Sequence, residues 1–246
     1  MEPTVKPTAA RTTTKAEETR GRILSAALNL FRERGFDQTT MREVATGADV
    51  AIGAAYYYFE SKEALVMAFY HQANEAMHEQ IESVLKRKTD LRTRLRGVID
   101  VKFEYFGPNR KFLGALLRHA ADPEHPLSPF SAQTRDIREL DMQHFSEALA
   151  GSNLRLTDDL LPHLPKLLWL YQMALILFWI YDRSPEQART ERLVDKSLAI
   201  VVSLLKLSKS PFLRGVRRTA IELLEAVEDQ PAQVAQVPDL RKTTPT

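Results

Sequence analysis

Tyr56, Tyr57 and Tyr58 stand in a row, preceded by Gly53, Ala54 and Ala55 and followed by Phe59. Successive residues on a helix point about 100° apart, because a turn holds roughly 3.6 of them. Three consecutive tyrosines therefore cannot share one buried face, and at least one ring looks outward. An exposed tyrosine offers a flat apolar face and a hydroxyl donor, chemistry that suits a surface both stacked and charged. With Phe59 turned inward, Tyr56 and Tyr57 project about 300° and 200° away from it around the helix. Both then reach towards phosphate oxygens or thymine methyls. The small residues before them let a backbone lie close to base edges. Lys62 points the same way: a cation in the first turn of a helix opposes the helix dipole. An anion bound there, such as a DNA phosphate, reverses that penalty.

These residues need elements to hold them. Ile23, Ala27, Leu30 and Phe31 share one face of a helix that starts near Thr19. Gly35 ends it, with Phe36 placed to pack back on Phe31. Thr40 and Glu43 form a capping box that opens a short second helix with Met41, Val44, Ala45 and Ala48 on its buried side. A turn at 47–50 leads to a third helix over about 52–58. Ser61 caps a long fourth helix reaching to about Lys88. Two short helices joined by a tight turn behind a supporting helix make a helix-turn-helix, whose second short helix enters the major groove. Further helices are expected near 90–106, 110–121, 132–149, 159–182, 187–208 and 212–228. Gly, Pro and helix-capping residues mark the breaks between them. No stretch reads as strand, so the expected fold is all-α. Residues 1–17 read as a mobile arm and residues from Asp229 as a disordered tail.

Composition narrows the class further. A chain of 246 residues with 44% apolar and 27% charged residues is an ordinary globular protein of one or two domains. A net charge of +2 makes any nucleic-acid surface local. The chain has no cysteine, which removes disulfide and thiolate chemistry and suits a reducing cytoplasm. The first twenty residues lack the apolar core of a signal peptide. The apolar run at 167–181 is short for a membrane span and is interrupted by Gln172, so it reads as a helix buried between several partners. No nucleophile elbow or phosphate-binding glycine loop is present. His119, Asp122, Glu124 and His125 crowd one stretch, but proline-rich loop polarity explains them better than a metal. The basic run at 86–96 reads as a solvated face that an anionic effector could also use. No cofactor is implied.

Residues 23–65 resemble the DNA-binding domain of the TetR family of bacterial regulators. Leu30, Phe31, Gly35, Phe36, Thr39, Thr40, Val44, Ala45, Ala48, Val50, Gly53, Tyr56, Tyr58, Phe59, Ser61, Lys62 and Leu65 carry the resemblance in register. It implies that Thr40, Tyr56 and Lys62 hold phosphates, and that Arg42, Ile52, Ala54 and Tyr57 face base edges, with Gly53 beside them. Arg42 is then the candidate for a bidentate contact to guanine. The chain departs from the family pattern at Asp49, where a turn glycine is usual, at Ala51, where a capping serine is usual, and at Ala55, where a leucine is usual.

The resemblance further implies a dimer that represses a palindromic operator on double-stranded DNA in the bacterial nucleoid, with a C-terminal domain over about 89–228 that pairs with its mate and binds a small molecule. The pairing helices would be those near 159–182 and 187–208. The aromatics Phe103, Phe106, Phe112, Phe145, Trp169 and Phe178 are the candidate lining of an apolar or aromatic effector pocket. An all-α carrier or enzyme for an apolar acyl compound, and an architectural DNA-binding protein without a ligand, remain as alternatives.

Overall fold

The structure, a computed structural model, describes residues 9–120 and 122–228. Among them there are ten α-helices and no strand: α1 (Ala9–Arg34), α2 (Met41–Gly47), α3 (Ile52–Tyr58), α4 (Lys62–Leu85), α5 (Leu91–Phe106), α6 (Arg110–Ala120), α7 (Arg135–Ala150), α8 (Leu164–Tyr181), α9 (Ala188–Leu207) and α10 (Arg214–Glu228).

The helix starts follow from local chemistry. Thr40 accepts from the Glu43 amide while the Glu43 carboxylate accepts from the Thr40 amide, which closes the capping box of α2. Ser61 accepts from the Ala64 amide and Asp90 from the Thr93 amide, so α4 and α5 begin at side-chain caps. Pro165 lies in the first turn of α8, where a missing amide proton costs nothing. That helix starts at Leu164 rather than near 159, because residues 158–163 form turns. The helix expected to start at 132 begins at Arg135 instead.

The expected arm over residues 1–17 is corrected: α1 already runs from Ala9. Residues 9–18 hold no Gly or Pro, so the turns nucleated further on propagate backwards without an apolar stripe. Residues 1–8 and the tail expected from Asp229 lie outside the described residues.

Two buried clusters organise the molecule. The first gathers Ile23, Ala27 and Phe31 of α1, Val44 and Ala45 of α2, Ala55 of α3, and Leu65 and Phe69 of α4. The second gathers Met77 and Ile81 of α4, Leu95 and Val98 of α5, Phe145 of α7, Leu168 and Trp169 of α8, and Leu198 of α9. The boundary between them does not follow the chain. Phe112 and Leu116 of α6 belong to the first cluster, with the Phe112 ring stacked on Phe31 at 5.2 Å. Arg32 Nε also donates to Asn109 Oδ1 at 2.7 Å across the same junction. By composition alone α8 is long and apolar enough to cross a membrane. It instead packs against α6, α7 and α9, with Gln172 buried in its middle.

The basic run at 86–96 is not simply a solvated face. Arg94 is buried, and its guanidinium donates to the carbonyls of Ala148, Glu147 and Arg87. These carbonyls lie at the C-terminal end of α7 and just past that of α4, where a cation meets the negative pole of each helix. Arg92 pairs with Asp195, and Arg96 with Asp100 and Glu191.

Candidate nucleic-acid interface and ligand cavity

The α2–α3 unit is held from behind. Val44 and Ala45 bury one face of α2 against α1, and Ala55 and Phe59 bury one face of α3. The turn between them passes through Asp49 at φ 53°, a left-handed conformation that aspartate tolerates where glycine is usual. Ala51 is the N-cap of α3 and offers no side-chain bond, so the helix starts at the expected place without a side-chain cap. With Ala55 and Phe59 inward, Tyr56 is 52% exposed and Tyr57 84%. Tyr58 is half-buried, and its ring meets that of Tyr57 edge-on at 5.2 Å. Thr40, Arg42, Ile52 and Gly53 are exposed too, while Ala54 is half-buried. One surface thus carries a guanidinium, two phenols, a hydroxyl and a stretch of small residues, backed by a dry core.

Lys62 is half-buried and engaged within the chain. Its Nζ donates to the Phe36 carbonyl oxygen at 2.8 Å and lies 4.6 Å from the centre of the Phe36 ring. The ammonium that the sequence assigns to a phosphate therefore also ties the start of α4 to the α1–α2 loop. Arg34 pairs with Glu43 at 3.0 Å, so the acidic member of the capping box is neutralised from α1. Its carboxyl is held below the usual range, first by the amide and hydroxyl of Thr40 and then by Arg34.

A cavity of about 480 Å³ lies between α4, α5, α6, α7 and α8. Of the six aromatics expected in a pocket, Phe106 and Trp169 line it and four do not. Phe112 and Phe145 are spent in the two cores, each 1% exposed. Phe103 stacks flat on Trp179 at 5.1 Å. Phe178 faces outward on the surface of α8. A helix buried on several sides leaves the choice of side open, and the packing of α6 decided it.

The polar end of the cavity was not visible in the sequence. Lys102 of α5 donates to Asp141 Oδ1 of α7 at 2.5 Å, and Gln172 Nε2 of α8 lies 3.4 Å from Asp141 Oδ2. All three are buried. They come from three helices, with 39 positions from Lys102 to Asp141 and 31 from Asp141 to Gln172, and the one available signal was Gln172 breaking an apolar run. Beside them, His144 Nε2 meets His78 Nδ1 of α4 at 3.2 Å. Burial pushes the His144 imidazole below its usual pKa, and the Lys102 charge pushes it further down. Among the described residues no three His, Asp or Glu side chains converge as metal ligands. The His119 side chain lies outside the described residues.

Comparison with known proteins bears on both sites. The family described as "Bacterial regulatory proteins, tetR family" matches residues 23–69, and "Tetracyclin repressor-like, C-terminal domain" matches residues 94–223. The uncharacterized HTH-type transcriptional regulator YuxN of Bacillus subtilis (strain 168) is 28% identical over 101 residues, 41% of this chain and 35% of YuxN. The HTH-type transcriptional regulator UidR of Escherichia coli (strain K12) is 30% identical over 111 residues, 45% of this chain and 57% of UidR. The match thus spans about a third to little more than half of these relatives. The fold is shared with Thermus thermophilus FadR, a repressor solved in complex with lauroyl-CoA, at TM-score 0.55 and 24% identity, covering 73% of this chain and 93% of that one.

Proposed function

The chain belongs to the TetR family of DNA-binding transcriptional regulators, and from that premise we propose that it is a ligand-responsive repressor that binds a palindromic operator as a dimer. The observation that carries the DNA reading is the outward surface of α2 and α3, with Arg42, Tyr56 and Tyr57 exposed above a core that uses none of them. In this reading α3 enters the major groove with Ile52, Gly53, Ala54 and Tyr57 towards base edges, and Arg42 reads one guanine. Thr40, Tyr56 and a remaining proton of the Lys62 ammonium take phosphates.

An exposed apolar face supports the dimer. Leu177, Phe178 and Tyr181 of α8 and Ile200, Leu204 and Leu207 of α9 are all exposed, large apolar side chains that a mate would take out of water. A two-fold axis through this patch pairs α8 and α9 with their mates, as the sequence leads one to expect.

The cavity supports the ligand. Its walls are mainly apolar, in keeping with an effector that is itself apolar or aromatic, and it touches both routes to the DNA surface. Tyr70 and Asn74 bring α4 to it, and Leu113 and Leu116 bring α6, whose Phe112 is stacked on α1. That T. thermophilus FadR holds an acyl-CoA makes a small-molecule effector the natural reading here as well.

The test is a gel shift with the DNA upstream of the protein's own coding region, against excess unrelated DNA and at several salt concentrations. A regulator keeps specific binding under competition; one salt-sensitive, sequence-indifferent affinity would reject the reading in favour of an architectural role. The double variant Ile200→Glu and Leu204→Glu should sediment as a monomer and lose the specific band.

A further inference from the structure

We propose that the cavity takes an apolar molecule whose polar end is a neutral hydrogen-bond donor, a hydroxyl above all, seated on the Gln172 side-chain oxygen. This rests on reading the cavity as the effector site and names the chemistry it selects.

The Lys102–Asp141 pair sets the direction of every bond at the polar end. Both side chains are buried and form an ion pair, the ammonium donating to Asp141 Oδ1 at 2.5 Å. An ionised carboxylate only accepts. Gln172 must therefore turn its amide nitrogen to Asp141 Oδ2; the flipped amide would set two acceptors face to face. That choice leaves Gln172 Oε1 on the other side of the amide. The residue is 1% exposed and lines the cavity, and this oxygen has no hydrogen-bond partner. A buried acceptor left unmet destabilises the fold, and a ligand that supplies a proton removes that penalty on binding.

The surrounding groups select among donors. A second ammonium would lie near Lys102 and Arg138, two cations against the single carboxylate of Asp141. A carboxylate, ester or thioester would bring only acceptor oxygens to Oε1. Arg138, the other cation of the wall, already donates to the carbonyls of Pro129 and Ser131 and lies over the Trp169 ring. The Thr134 hydroxyl donates to the Ser128 carbonyl at 2.7 Å. A hydroxyl meets Gln172 without adding charge, and the rest of the wall, with Phe106, Leu116, Trp169 and Ile176, receives hydrocarbon.

Matched compounds test this on the full-length protein, with binding read from intrinsic tryptophan fluorescence and calorimetry. The set is 1-dodecanol and its methyl ether, 4-hexylphenol and its methyl ether, dodecanoate and lauroyl-CoA. On at least one skeleton the hydroxyl compound should bind about tenfold more tightly than its ether, which is about 1.4 kcal/mol. It should also bind more tightly than dodecanoate or lauroyl-CoA. Gln172→Leu should bring the alcohol-to-ether ratio to about one while leaving the ether's affinity within about twofold of the parent's; Gln172→Met repeats the comparison if the leucine variant does not fold. Equal binding of alcohols and ethers in the parent protein, preference for dodecanoate or lauroyl-CoA, or no binding on either skeleton overturns the proposal. A parallel gel shift separates this from the effector reading. An alcohol that binds with the expected preference yet leaves DNA bound keeps the cavity chemistry and removes the regulatory role. A compound that releases DNA with hydroxyl and ether alike does the reverse.

Discussion

Lys62 and Tyr56 are both assigned to phosphates, yet the structure gives them different work inside the protein. Tyr56 is exposed and uninvolved in the core, whereas Lys62 holds the Phe36 carbonyl and ring. Tyr56→Phe should therefore weaken binding to cognate and unrelated DNA by the same factor and leave the melting temperature unchanged, since phosphate contacts position without specifying. Lys62→Ala should weaken both as well and flatten the salt dependence by about one unit of slope. It should also destabilise the fold by about 1–2 kcal/mol, through the lost charged hydrogen bond and ring contact. Denaturant titration checks the second effect: a Lys62→Ala midpoint equal to the parent's means the Phe36 tie contributes nothing. Arg42 sits one residue inside the capping box, exposed on α2. Arg42→Ala should cost about 1–3 kcal/mol at one base pair per half-site and relax preference there alone. Binding selection that returns the parental consensus at full strength would remove it from the reading set.

At the scale of the element, two helices stand out by how their ends are met. The N-terminus of α3 has no side-chain cap: Ala51 has extended backbone geometry, φ −64° and ψ 146°, and no side-chain oxygen. Ala51→Ser should stabilise the protein by about 0.5–2 kcal/mol, read as a raised melting temperature. No gain would mean that the free amides of α3 are satisfied by solvent as well as by a serine. The C-terminus of α7 is met by the buried Arg94, and the body of the same helix carries His144 against His78. His144 faces Lys102 from α5, His78 from α4, and Asp141 and Glu147 along its own helix, with burial the largest influence. Its folded pKa is lowered, so the unfolded chain takes up the proton first. Stability is then fully present above about pH 6.5, the ordinary histidine value, and declines as pH falls below it. Melting at pH 7.5 and pH 5.5 checks the sign: the parent should lose more than His144→Gln over that interval. An equal loss in both would assign the acid sensitivity elsewhere.

For the whole molecule, the proposed ligand-responsive repressor needs a route from a filled cavity to DNA. The 24 residues of α4 span roughly 36 Å at about 1.5 Å per residue, from Lys62 beside α3 to Leu85 in the second core. α4 lines the cavity at Tyr70 and Asn74, and α6 lines it at Leu113, Leu116 and Leu117, next to its Phe112–Phe31 contact. Two half-sites about 34–36 Å apart tolerate little change in the distance between recognition helices, so a shift of a few ångströms along either route loses one groove. The effector must favour the released arrangement, or it moves nothing. Spin labels at position 57 of each subunit should report a changed distance when a DNA-releasing compound binds. Release with a distance unchanged and sharp would leave altered flexibility as the account. Phe112→Ala should blunt that change if α6 carries it, and leave it intact if α4 alone does.

The DNA-facing half of this protein was legible from sequence because its determinants are local. A capping box spans four residues, a turn at Asp49 one, and the outward pointing of Tyr56 and Tyr57 follows from helix periodicity once Phe59 is inside. Each is decided by neighbours in the chain, and the residue pattern at 23–65 adds its register. The helical run of the C-terminal half was legible for the same reason, with ends displaced by a few residues where proline turns and Arg94 decide them. What faces the cavity was not. Six aromatics and an apolar helix say that hydrophobic faces exist, but which face meets which is a property of packing between helices distant in sequence. Phe112 went to the DNA-binding core, Phe145 to the other core and Phe178 to the surface. Lys102 and Asp141, unremarkable along the chain, and Gln172, which only breaks an apolar run, became one polar cluster when α5, α7 and α8 closed around it, because burial and direction of a charge exist only in the folded arrangement.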